Sequence, residues 1–115
     1  MKSTGQETSF VQVTDAETLE ALFARSQDKP VILFKHSLTC PISRTAYEEM
    51  SQLATEIAII VVQRARDISR EVAARTGIRH ESPQAIVLRN GRAVWSASHW
   101  DVTSHAVESA VQAYM

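Results

Sequence analysis

Val31-Ile32-Leu33-Phe34-Lys35-His36-Ser37-Leu38-Thr39-Cys40-Pro41-Ile42-Ser43 is the stretch on which the fold turns. Its first four residues are apolar on both faces and partly β-branched, as in a strand buried between two covering layers of helix. A short polar loop follows. Cys40-Pro41 then opens a helix, where proline costs little because its missing N–H would have had no partner. Ala46, Tyr47, Met50, Leu53 and Ala54 supply one apolar stripe, which predicts a helix over 41–55. A buried strand therefore runs into a helix with a cysteine at the junction.

The chain on either side completes the pattern. Thr14-Asp15-Ala16-Glu17 has capping-box spacing, and Leu19, Leu22 and Phe23 behind it predict a helix over 15–26. Phe10, Val11 and Val13 suggest a short strand before that helix, and residues 1–8 read as frayed polar chain. Beyond the central unit, 57–62 is a second continuously apolar strand. A helix over 67–76 ends at Gly77, where a left-handed backbone is tolerated. A strand over 85–88 meets Asn90-Gly91, a strong hairpin signal because both residues accept positive φ, and 92–96 returns antiparallel. Thr103 caps a last helix whose stripe is Val107, Ala110, Val111 and Tyr114. The order is β-α-β-α-β-α-β-β-α. Helices between strands imply parallel pairing, and the hairpin adds an antiparallel strand. The expected fold is a thioredoxin-like three-layer α/β/α sandwich with a mixed sheet, formed by a single domain over 9–115.

Composition bounds the partners. The 115 residues carry 12 Lys+Arg against 13 Asp+Glu, a net charge of −1, so the basic excess that nucleic-acid binding needs is missing. The apolar run at 57–62 is far shorter than the roughly 20 residues that cross a bilayer. The polar N-terminus has no apolar signal segment. These features lead us to expect a cytoplasmic protein that engages neither nucleic acid nor membrane.

Cys40 is the single cysteine, so no internal disulfide can form and no Cys-rich metal site exists. It acts as a free thiol, or it is a small buried hydrophobe, the common fate of a lone cysteine. Its position favours the first reading. At a helix N-terminus the free N–H groups and positive dipole end favour thiolate over thiol, and the thiolate is the nucleophile of disulfide exchange. Lys35 and His36 precede Cys40, and Arg44 lies one turn into the helix. Arginine is electrostatically misplaced there, which suggests an anion contact; the alternative is a solvated surface side chain. Ser43 occupies the slot that holds the resolving thiol in two-cysteine motifs. A hydroxyl cannot form a disulfide, though it can donate a hydrogen bond to the Cys40 thiolate. Pro83, before the hairpin, falls where a cis peptide would turn the Ser82 backbone towards Cys40 to pair with a substrate chain; the alternative is an ordinary strand-initiating proline. His99 could join His36 in stabilising the thiolate or binding substrate, while His80 and His105 read as solvated. Trp95 packs a hairpin face, and Trp100 either shapes a substrate groove or packs in the core. These histidines lack the spacing and further ligands of a metal site.

Lys35-His36-Ser37-Leu38-Thr39-Cys40-Pro41-Ile42-Ser43 resembles the active-site segment of the monothiol bacilliredoxins of the bacillithiol system. His80-Glu81-Ser82-Pro83-Gln84 is similar to their cis-proline segment, and Ser98-His99-Trp100 with Thr103 to the region before their last helix. The resemblance spans nearly the whole chain from Phe10. It implies removal of bacillithiol from bacillithiolated proteins, with Cys40 as nucleophile and Thr39, Pro41, Ile42 and Ser43 supporting it. It further implies bacillithiol as co-substrate with no tightly bound cofactor, and a flavin-dependent bacillithiol disulfide reductase as partner. Because bacillithiol carries malate carboxylates, Lys35, Arg44, His36 and His99 become candidate anion contacts. Ser82, Pro83 and Trp100 complete the candidate substrate site.

Three other functions fit the same residues. A glutaredoxin-like protein would use glutathione, and a cluster-binding protein would hold iron–sulfur between two chains. A redox-inert interaction module would leave Cys40 with ordinary thiol acidity. A peroxiredoxin fits less well, since the proline expected before Ser37-Leu38-Thr39-Cys40 is missing and the chain is short.

Overall fold

The computed structural model describes residues 8–115, and residues 1–7 of the segment expected to fray lie outside them. Thr8, at the edge of that segment, is tied down by its hydroxyl, which donates to the Ser51 carbonyl at 2.8 Å. Five strands form one sheet: β1 (Ser9–Gln12), β2 (Val31–His36), β3 (Glu56–Val61), β4 (Gln84–Arg89) and β5 (Arg92–Ser98). Their order is β1-β3-β2-β4-β5. β1 and β2 pair parallel with β3, whereas β4 pairs antiparallel with both β2 and β5. The mixed thioredoxin-like sheet expected from the element order is thus present.

Period-two alternation along β2 explains the layers. Val31 and Leu33 join Leu19, Phe23 and Val72 on one face, under α1 (Ala16–Arg25) and α3 (Arg66–Thr76). Ile32 and Phe34 join Met50, Ile59 and Val107 on the other, under α2 (Pro41–Met50) and α4 (Ser104–Ala113). Both faces are apolar because both are covered. The last two residues of β2 obey the same rule, so Lys35 falls on the α1/α3 side and His36 on the α2/α4 side.

Local chemistry moves several boundaries. Asp15, not Thr14, caps α1, its carboxylate accepting from the Thr18 N–H at 2.8 Å; a carboxylate is at least as good a cap as a hydroxyl. Helix α2 stops at Met50 instead of continuing to 55. There Gln52 N–H bonds to Glu49 and Leu53 N–H to Met50, three residues back, which tightens the chain into a turn and still buries Leu53. β2 extends two residues past Phe34, because Lys35 pairs with Gln84 and His36 with Val61. Gly77 ends α3 at φ 74°, and Asn90 and Gly91 turn the hairpin with φ 58° and 78°. Thr103 caps α4 as expected, accepting from the Ala106 N–H. A 3₁₀ turn at His99–Asp101, absent from the sequence reading, joins β5 to the last helix region and packs against α2.

Candidate active site

Cys40 is the N-cap residue of α2, half-buried, with Pro41 at the first helical position. Its side chain makes no capping hydrogen bond, so the thiol is not engaged as a cap. The 37–39 loop before it is held from two sides. From α2, the buried Ser43 Oγ accepts the Ser37 N–H at 2.9 Å and shares a 2.9 Å hydrogen bond with His36 Nδ1. From the loop after β3, Gln63 accepts the Leu38 N–H at 3.1 Å and donates to Ser37 Oγ at 2.9 Å. Thr39 Oγ1 lies at the edge of this network, 3.4 Å from both Gln63 Nε2 and Ser37 Oγ.

This network gives Ser43 a further role. Its hydroxyl accepts the Ser37 amide and bonds to the His36 ring, so it shapes the loop that presents Cys40. His36 is also recast. Burial pushes its pKa down against the opposing bond to Ser43, so the ring is neutral at pH 7 and adds no positive charge beside the sulfur. It packs instead in an aromatic series, its ring tilted against Tyr47 at a centroid distance of 5.1 Å, and Tyr47 stacks on Phe10 at 4.7 Å.

Lys35 is the largest departure from expectation. It is 0% exposed, and its Nζ donates to the Ser69 carbonyl at 3.1 Å and approaches His80 Nδ1 at 3.0 Å, on the sheet face opposite α2. A side chain so enclosed touches no substrate anion; its partner His80 is solvent-exposed, as expected, and meets the ammonium from the surface.

The β4 side of Cys40 carries the second expected motif. Gln84 pairs with Lys35, which sets the Ser82-Pro83 segment level with His36, and the Ser82-Pro83 peptide is cis. His99 adopts φ 57° and its N–H donates to the Pro83 carbonyl at 2.9 Å, tying the 3₁₀ turn to this segment. Trp100 on that turn is 65% exposed, so it is surface and not core. A hydrogen bond from Ser98, reinforced by the nearby charges of His99, Arg79 and His80, outweighs desolvation and holds the Glu81 carboxyl below the usual range.

The β3 side carries a groove of about 760 Å³ that opens beside Cys40 and is walled by Arg44, Tyr47, Phe10 and Arg64 among others. Ile42 is half-buried at the start of α2. Among the described residues no group of three His, Cys, Asp or Glu side chains converges as a metal site.

Comparison with known proteins fixes the family. The model of the family described as monothiol bacilliredoxin BrxC matches residues 11–107. The chain belongs to this family. Its bacilliredoxin fold superposes on a solved structure described as a candidate oxidoreductase with a thioredoxin fold. That match has 31% identity and a TM-score of 0.77, covering 88% of this chain and 92% of that one. More distant thioredoxins share the fold alone. Malassezia sympodialis thioredoxin is 15% identical over 99% of this chain and 96% of its own, at TM-score 0.71. Spinach chloroplast thioredoxin F is 18% identical over 99% and 98%, at TM-score 0.69. As a bacilliredoxin, the chain is a thioredoxin-fold protein of thiol–disulfide redox function, and the bacillithiol system is the one its family serves.

Gln63, Arg64, Phe10 and the groove-wall role of Tyr47 were not singled out from the sequence. Gln63 is a positioning residue for the loop before Cys40, and its removal tests that role. Each neutral hydrogen bond contributes about 1 kcal/mol. Gln63→Ala is therefore expected to slow disulfide exchange at Cys40 about fivefold and to raise hydrogen exchange at the Leu38 amide. An unchanged Leu38 amide would show that Gln63 does not hold the loop.

Proposed function

We propose that the chain is a single-cysteine oxidoreductase that removes bacillithiol from protein mixed disulfides. The observation that carries this reading is the pairing of a half-exposed Cys40, the only cysteine in the chain, with a buried serine in the resolving slot. The family match supports bacillithiol as the small thiol. Cys40 thiolate attacks the bacillithiol sulfur, so a new S–S bond forms as the old one breaks and the client thiolate leaves with the electron pair. With no second cysteine, the adduct stays until a bacillithiol thiolate attacks it, restoring Cys40 and releasing bacillithiol disulfide. A flavin-dependent reductase returns that disulfide to two thiols. This reading sets the reaction in the cytoplasm, with the small-thiol pool that the family match supports. No helix among the described residues is long and apolar enough to cross a membrane.

The test is to mix the reduced protein with a bacillithiolated client and, separately, the same client glutathionylated, and to follow intact masses. The expected product is the chain plus one bacillithiol with release of the client thiol, formed faster than the glutathione adduct. Faster glutathione transfer, or an adduct carrying the client itself, overturns the reading.

A further inference from the structure

We propose that the groove on the β3 side of Cys40 is the subsite for the carboxylate-bearing small thiol, and that Arg44 and Arg64 bind its carboxylates. This rests on the single-cysteine exchange reading above and adds the place and the chemistry of recognition.

The sheet order creates two separate flanks. β2 delivers Cys40, with β4 on one side and β3, then β1, on the other. The Ser82-Pro83 segment leads into β4 and lies on the first flank. The groove is floored by Ile59 and Val61 of β3 and therefore lies on the second. A mixed disulfide has two halves, and the fold offers each its own side.

The second flank has the chemistry of a small anionic ligand site. Its volume of about 760 Å³ falls within the roughly 300–1,000 Å³ typical of small-molecule pockets. Arg44 lies one turn beyond Cys40, its N–H donating to the Cys40 carbonyl, so both residues share one helix face. Tyr47 and Glu48 continue that face along the groove. Arg64 enters from the loop after β3. Among the described residues, neither guanidinium forms an ion pair with a carboxylate. Arginine at the start of a helix opposes the dipole and is best explained by an anion that it holds. Glu48 supplies one carboxylate against the two cations, which leaves the lining net positive and suits a thiol carrying carboxylates. The stacked Phe10 and Tyr47 rings give the ligand body an apolar wall.

The experiment measures adduct formation on reduced Cys40 with two disulfides, bacillithiol disulfide and uncharged 2-hydroxyethyl disulfide. In each case the Cys40 thiolate forms one S–S bond, one S–S bond breaks, and one small thiolate leaves. The Arg44→Gln/Arg64→Gln double variant is expected to react at least tenfold more slowly with bacillithiol disulfide and within twofold of wild type with the uncharged one. Arg79→Gln, on the Ser82-Pro83 flank, is expected to leave both rates unchanged. An equal fall with both disulfides, no fall with either, or a selective fall in Arg79→Gln in place of the double variant overturns the subsite while leaving exchange at Cys40 intact. A wild-type chain that forms no adduct with either disulfide defeats the exchange reading itself, and the subsite with it.

Discussion

Cys40→Ser is expected to lose disulfide exchange down to the uncatalysed background and, at the same time, to gain about 0.5–1 kcal/mol of folding stability. The two effects have one structural origin. Cys40 stands at the N-cap of α2, where a side-chain oxygen would accept an N–H of the first turn, and its thiol makes no such bond. Serine is among the preferred N-cap residues, so the substitution supplies the missing acceptor. It also removes the only sulfur that can be exchanged, because Ser43 and the rest of the chain offer no other thiol. Urea unfolding and the bacillithiolated-client assay on the same preparation check both signs. Residual exchange above background would move the chemistry elsewhere. A fall in stability would mean that the sulfur contributes packing the hydroxyl does not replace. A cap residue chosen for reactivity at the expense of helix stability is the trade expected at a functional position.

The junction of β2, Cys40 and α2 was legible in the sequence because each part has a strong local signature. Four apolar residues do not fit a solvated loop, proline marks a helix start, and the apolar stripe continues at helical spacing. The hairpin was equally plain, since Asn90-Gly91 supplies the two positive φ values its turn needs. The error at Lys35 and His36 was one of extent. Ending the strand at Phe34 puts both residues in one loop beside Cys40. Carried two residues further, the same alternation sends them to opposite faces, His36 beneath α2 and Lys35 beneath α3. Gln63 and Arg64 were not legible at all, because their importance depends on β3 lying next to β2. The Gln63 contact with Ser37 joins positions 26 residues apart, and no periodicity in the sequence encodes it. The helix stripe includes Tyr47, yet this residue sits at the margin of the core, where a ring serves packing and groove wall together.

The second large effect concerns Lys35. Lys35→Met is expected to stabilise the protein at pH 7 by about 2 kcal/mol and to leave exchange at Cys40 within about twofold of wild type. The ammonium is fully buried, and among the described residues it makes no ion pair. Its partners are the Ser69 carbonyl and the His80 ring, with Gln84 opposite it in the sheet. Those dipoles do not replace water around a charge, and burial pulls its pKa from 10.5 to about 8. The sign follows from proton counting. Between pH 8 and 10.5 the unfolded chain keeps the proton that the folded chain has released, so wild-type stability rises with pH across that window. Below pH 8 both states hold the proton and the full penalty remains. On the acid side, His80 adds a second slope of known direction. Burial and the adjacent Lys35 charge lower its pKa from 6.5, so acidification below that value costs stability as two neighbouring cations are forced together. Methionine keeps the length and packing of the lysine stem while removing the charge, so both slopes should shrink in the variant. Urea unfolding of both proteins from pH 5 to pH 10 reads the two slopes. A wild-type curve flat between pH 8 and 10 would contradict a buried ammonium. Loss of exchange in a well-folded Lys35→Met would restore this residue to the substrate-binding role that its burial denies it.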